Sequence, residues 1–213
     1  MTAPRSALTG SSAAPGAFDL VVLAASLGGP GAVRAVVANL PAWFPAAVIV
    51  VQHRSAVAQH LCVELLRRRA RLEVVPIEEG ERLRPGTVHV APADRQVVLE
   101  SDWKFARLVG PPRRGHSADA LIASAAERLG ARVIGVILSG ANDDGAAGAV
   151  ALKRAGGRML AQDRASAGCF TMPAAAIATG CVDLVLPLER IAPALISLVM
   201  WPLEPPAVAS GPA

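Results

Sequence analysis

A serine, a histidine and an aspartate each follow a run of branched apolar residues in this chain, and together they make a complete set for acyl transfer. Ser26 closes the run Leu20-Val21-Val22-Leu23-Ala24-Ala25, and His53 closes Val48-Ile49-Val50-Val51-Gln52. Asp144 lies just beyond Val133 to Leu138, in Ser139-Gly140-Ala141-Asn142-Asp143-Asp144-Gly145. A serine hydroxyl attacks a carbonyl only when a histidine takes its proton, and the histidine needs a carboxylate to hold its tautomer and stabilise the imidazolium that forms. Gly28-Gly29, directly after Ser26, leave backbone amides open to a substrate where a helix begins; one such donor to an oxyanion is typically worth about 10²- to 10³-fold in rate. Taken singly, each residue has a plainer reading as a turn former, a strand-end histidine or a helix cap. Their placement after three strands is what points to one site.

Those strands must lie side by side and in parallel for their ends to converge. Strand signals occur at Leu20 to Leu23, Val48 to Val51, Val74 to Pro76, Val88 to Val90, Val97 to Leu99, Arg107 to Val109, Val133 to Leu138, Arg158 to Ala161 and Asp183 to Leu186. Helical patterns run over Pro30 to Leu40, over Val57, Leu61, Leu65 and Leu66, and over Ser117 to Leu129 with a local cap. Three more cover Gly145 to Ala155, Pro173 to Thr179 and Leu188 to Val199. Strands alternating with helices predict an α/β fold, a doubly wound and mainly parallel sheet in one domain over residues 18–201. The stretch Val74 to Val109 leaves no room for helices and predicts an antiparallel hairpin addition. In such sheets ligands bind beyond the carboxyl ends of the strands, where Ser26, His53 and Asp144 stand.

Composition narrows the function classes. Of 213 residues, 53% are hydrophobic and only 3% aromatic, which suits an Ala/Val/Leu core and argues against single-stranded nucleic acid, whose bases need rings to stack on. The net charge of +4 includes two clusters, Arg67-Arg68-Arg69 with Arg71 at a helix end and Arg113-Arg114 beside Pro111-Pro112, both read as solvated faces. Cys62, Cys169 and Cys181 form no C-x-x-C pair and suit a reducing cytoplasm. The most apolar stretch, Ala35 to Val51, is broken by Asn39, Pro41 and Pro45, so no membrane insertion is expected. Residues 1–17 read as a disordered leader and 202–213 as a flexible tail.

Competing motifs fail at particular positions. Gly29-Pro30-Gly31 begins a dinucleotide fingerprint, but its third glycine position holds Arg34, and Gln52-His53 stand where an acid would meet a ribose. Ala24 replaces the first glycine of a hydrolase elbow, and the order serine, histidine, aspartate differs from that fold's. His53, Asp143, Asp144 and Asp163 have no metal-ligand spacing, so neither cofactor nor metal is expected.

The blocks Ala25-Ser26-Leu27-Gly28-Gly29, Val51-Gln52-His53, Val90-Ala91-Pro92 with Asp94, and Gly135 to Gly140 through Asp144-Gly145-Ala146-Ala147-Gly148 resemble the catalytic domain of the CheB chemotaxis methylesterases. Ala161-Gln162-Asp163 and Met172-Pro173 before Ala176-Ile177 extend the resemblance over about residues 20–199. It implies that Ser26 is the nucleophile, His53 the general base and Asp144 the orienting carboxylate, with Asp143 a neighbour outside the triad. The implied reaction hydrolyses γ-glutamyl methyl esters on the cytoplasmic helices of chemoreceptors, and the family also deamidates certain receptor glutamines. Leu27 stands where the family has threonine, Ala141 where it has methionine, and Gly115-His116-Ser117-Ala118-Asp119 where it has R-P-S-V-D. The family's usual N-terminal receiver domain has no counterpart in the leader, so control by a separate signalling or receiver protein, or none, is expected. Two further readings stand beside the esterase: a non-catalytic module that binds receptors, and a serine esterase with another substrate.

Overall fold

The computed structural model describes residues 18–55, 59–100, 106–111 and 116–200. The leader, the tail, Val57 and the pair Arg113-Arg114 lie outside the described residues. Among the described residues nine strands and six α-helices follow one another as β1 (Leu20–Ala25), α1 (Gly29–Ala38), β2 (Ala47–Gln52), α2 (Gln59–Arg67), β3 (Glu73–Pro76), β4 (Thr87–Val90), β5 (Gln96–Leu99), β6 (Ala106–Val109), α3 (Ser117–Leu129), β7 (Val133–Ile137), α4 (Ala146–Arg154), β8 (Arg158–Gln162), α5 (Thr171–Ala178), β9 (Leu184–Leu186) and α6 (Leu188–Met200). Seven strands form one parallel sheet in the order β3-β4-β2-β1-β7-β8-β9, and β5 pairs with β6 in a separate antiparallel ribbon.

The central strands are continuous apolar runs because both of their faces are covered. Along β1, Val21, Leu23 and Ala25 pack towards α1, α2 and α6, while Leu20, Val22 and Ala24 pack towards α3, α4 and α5. Helix α1 follows from the same logic: Ala32, Val33, Val36 and Val37 recur at helical spacing and are buried, while Arg34 and Asn39 face outward. The chain winds from β1 to β2 on one side and from β7 to β8 on the other. The order therefore reverses around β1, and a reversal of this kind opens a crevice at the carboxyl edge.

The expected hairpin over Val74 to Val109 is found only for β5 and β6. Strands β3 and β4 instead extend the main sheet in parallel, with Val74 beside Val88 and Pro76 beside Val90. No helix joins them, since Ile77 and Leu83 in the connection are buried against the α3 side and fill the place of a crossover helix. Alternation alone does not distinguish such a connection from a hairpin.

Strand β4 carries a fully buried histidine, His89, whose Nε2 accepts the Arg84 backbone N–H at 3.1 Å. Its Nδ1 therefore holds the hydrogen and faces Glu81 Oε1 at 3.8 Å. Burial pushes the imidazole down from 6.5 to about 4, more than the nearby groups restore. The unfolded chain takes up a proton at this residue near pH 6.5 and the folded one only near pH 4. Stability is therefore full above that window and falls as pH drops through it, by about 3 kcal/mol from this group alone. Urea midpoints between pH 7 and 4 are expected to fall more steeply for the wild type than for His89→Gln, whose carboxamide oxygen still accepts the Arg84 N–H; parallel slopes would contradict this account.

Candidate active site

Register brings the three sequence-predicted residues together. Ala25 pairs with Gln52, so Ser26 and His53 are the first residues beyond two adjacent parallel strands, and the His53 N–H donates to the Ala25 carbonyl at 3.0 Å. On the other flank of β1, the Ser26 N–H donates to the Ser139 carbonyl at 2.9 Å, which binds the loop carrying Asp144 to the same edge. His53 Nε2 lies 2.7 Å from Asp144 Oδ2, with Asp144 fully buried and the His53 side chain 21% exposed. Ser26 and His53 line one cavity of about 650 Å³, walled by Leu27, Pro30, Leu61, Leu65 and Leu66, with Arg34 and Arg54 among its lining. Among the described residues the Ser26 hydroxyl makes no hydrogen bond; such bonds commonly tighten only when substrate is present. Asp143 lies outside this arrangement, 71% exposed, with Oδ1 3.9 Å from His116 Nε2.

The expected local cap of α3 is not made by Ser117. The residue before the helix, His116, gives no side-chain cap, and Asp144 serves instead: Oδ2 accepts the Ala118 N–H at 2.9 Å and Oδ1 the Asp119 N–H at 2.8 Å. Asp119 returns the arrangement to α4, its Oδ1 accepting Gly145 N–H at 2.9 Å and Gly148 N–H at 2.7 Å. Each aspartate thus satisfies the orphan amides of the other's helix. The other Asp119 oxygen meets His116 Nδ1 at 3.1 Å. His116, Asp119 and Asp144 offer ligand atoms within 4.8 Å of one another, but all four carboxylate oxygens are already committed to N–H groups, so the cluster reads as caps. Because Asp119 holds the amides beside Asp144, Asp119→Ala is expected to lower kcat by about 10²-fold, the cost of misplacing a catalytic group by an ångström. An unchanged kcat in the folded variant would remove Asp119 from the site.

The two glycines after Ser26 serve different ends from one another. Gly28 has φ +75, and a Cβ there would come within 2.6 Å of Ser139 Oγ. Among the described residues neither its N–H nor that of Leu27 donates a hydrogen bond, so both remain available to an oxyanion. Gly29 is buried, its N–H closes a turn onto the Ser26 carbonyl, and a Cβ would sit 2.6 Å from Ala25 Cβ. It is there for packing, which corrects the expectation that both glycines open the backbone to substrate. The Leu27 side chain is 64% exposed and its carbonyl accepts the Ser139 hydroxyl at 2.8 Å, so this residue shapes the cavity wall through its side chain.

Several supporting residues escape sequence reasoning because their partners are distant in the chain. Ser139 is buried, and besides Leu27 its backbone N–H reaches Gln162 Oε1 at 2.9 Å and its hydroxyl accepts Cys169 N–H at 2.9 Å. Arg54 spans from the Gln52 carbonyl, 2.7 Å, to the Ala91 carbonyl, 2.6 Å, and pins the turn that presents His53. Burial lowers the Arg54 guanidinium from its ordinary value and raises the nearby Cys62 thiol, whose rise Arg54 opposes. Cys62 is thereby held as the thiol, donating to Gln52 Oε1, which makes it a poor nucleophile.

A doubly wound α/β sheet here carries a serine, a histidine and an aspartate together at its carboxyl edge, without the glycine-flanked elbow of the α/β-hydrolases. The CheB methylesterase family model matches residues 21–195, and the chain belongs to that family. It is 40% identical over 188 residues to a protein-glutamate methylesterase/protein-glutamine glutaminase of Moorella thermoacetica, covering 85% of this chain and 44% of that protein. It is 39% identical to the protein-glutamate methylesterase FrzG of Myxococcus xanthus, covering 87% of this chain and 56% of the relative. The chain spans about half the length of the curated relatives it matches. The crystal structure of the Thermotoga maritima CheB methylesterase catalytic domain is similar with a TM-score of 0.81 at 34% identity, over 85% of this chain and 99% of that one. Among the described residues no helix is long and apolar enough to cross a membrane.

Proposed function

We propose that this chain is a protein-glutamate methylesterase in which Ser26, His53 and Asp144 act as nucleophile, general base and orienting carboxylate. The observation that carries the reading is the 2.7 Å contact between His53 and the buried Asp144 beside Ser26 in an open cavity. The Ser26 oxygen attacks the ester carbonyl as its proton passes to His53, and the carbonyl electrons move to the oxygen facing the free amides of Leu27 and Gly28. The imidazolium then protonates the departing methoxide, giving methanol and a glutamyl ester on Ser26. Water, deprotonated by His53, cleaves that ester to glutamate and regenerates the serine. The names of the relatives favour methyl esters of protein glutamates as substrate, with deamidation of protein glutamine as a companion activity; the chemotaxis resemblance of the sequence favours the cytoplasmic helices of chemoreceptors as the protein that carries them.

The test is methanol release by the purified protein from methyl-esterified chemoreceptor membranes, beside a generic small methyl ester. Release from receptors supports the reading. Release only from the small ester moves the substrate elsewhere, and receptor binding without any release makes the chain a docking module.

A further inference from the structure

The imidazole at the centre of this site has a second neighbour. Asp144 offers only acceptor oxygens to Nε2, so that nitrogen carries the hydrogen and Nδ1 holds the single lone pair that can take a proton from Ser26. Asn142, two residues before Asp144 in the same loop, places its side-chain Nδ2 3.3 Å from that Nδ1. A carboxamide nitrogen is a donor, and the lone pair it meets admits one donor at a time. The contact is long for a hydrogen bond, hence weak enough to be displaced. Meanwhile the Ser26 hydroxyl, in the cavity it shares with His53, is unbonded among the described residues.

We propose that Asn142 is a latch on the general base: in the resting protein its amide occupies the His53 nitrogen that must accept the Ser26 proton, and engagement of the nucleophile requires its displacement. The proposal rests on the esterase reading for its consequence but not for its geometry. The loop supplies the means of release. Asn142 and the exposed residues Ala141 and Asp143 lie at the rim of the site, whereas the buried Asp144 is held by two amides of α3. Displacement of Asn142 therefore leaves the carboxylate in place. Asn142 is thus a positioning residue, acting on the reaction through the imidazole.

Two substitutions separate a latch from a residue that merely supports the loop. In Asn142→Ala the competitor is removed, and kcat/KM is expected to rise about three- to tenfold, the range to which loss of one ordinary neutral hydrogen bond converts. The rate at which a small fluorophosphonate labels Ser26 rises with it. In Asn142→Asp the side chain accepts instead of donating, holds a hydrogen on Nδ1, and lowers both rates. A supporting role would lower both rates in both variants. The ¹⁵N NMR signal of His53 Nδ1 in the resting protein reads the contact without any turnover: it is expected to move in Asn142→Ala towards that of an unbonded imidazole nitrogen. An unmoved signal, or labelling that slows in the folded alanine variant, overturns the latch even if the esterase reading stands. A moved signal in a protein that releases no methanol upholds the contact while the esterase reading falls.

Discussion

Ser26→Ala is expected to lower methanol release by about 10⁶-fold, the scale on which loss of the nucleophile acts when the members of a triad work as a unit. The structure supplies no substitute. Cys62 shares the cavity but is held as a half-buried thiol on Gln52, and Ser139 has its hydroxyl engaged between the Leu27 carbonyl and the Cys169 amide. The alanine variant keeps its fold, because Ser26 makes its structural contacts through the backbone, the N–H to Ser139 and the carbonyl to Gly29. Its urea midpoint should therefore match the wild type within error. Methanol release persisting at a substantial fraction of the wild-type rate would be incompatible with the serine mechanism.

The second large effect concerns Asp144. Asp144→Asn is expected to lower kcat by about 10⁴-fold, as in triads whose carboxylate becomes an amide and stabilises the wrong histidine tautomer. All three donors around this side chain, His53 Nε2 and the amides of Ala118 and Asp119, require an acceptor. A carboxamide has one oxygen for them, so its NH₂ group must stand either at the Oδ2 position, against both the imidazole and the Ala118 amide, or at the Oδ1 position, against the Asp119 amide. Facing the imidazole, it forces the hydrogen onto Nδ1 and abolishes the base. Facing the Asp119 amide, it leaves that N–H in the first turn of α3 without its acceptor, at a cost of about 1 kcal/mol. The variant should thus lose activity and some stability together, whereas Ser26→Ala loses activity alone. A stable Asp144→Asn protein with near wild-type kcat would remove Asp144 from the mechanism.

The elements that could be read from the sequence are those whose reasons are local. Strands β1, β2 and β7 announce themselves as unbroken apolar runs because helices cover both of their faces, and Ser26, His53 and Asp144 stand out because polar groups end those runs. What could not be read depends on partners far along the chain. Nothing near Val74 or Val88 indicates that β3 and β4 pair in parallel, since the decisive burial is that of Ile77 and Leu83 in the connection. Ser117 beside an apolar periodicity looks like a cap, yet the cap comes from Asp144. Gly28 and Gly29 look alike, and only the packing around Ala25 and Ser139 separates a turn glycine from a packing glycine. Asn142 appears as a polar loop residue until the imidazole ring is placed beside it.

The crossed caps of Asp119 and Asp144 give the two aspartates a second occupation that outlives any chemistry. A descendant of this chain that gave up ester cleavage would be free to alter Ser26 and His53, whose side chains support little beyond the reaction. It would still need acceptors for the first amides of α3 and α4 to keep the two helices seated on the sheet. In such a lineage Ser26 and His53 would be expected to decay first and the aspartates last. On the proposed mechanism, an intact serine and histidine among related sequences would mark a working esterase, whereas an intact aspartate would mark the fold.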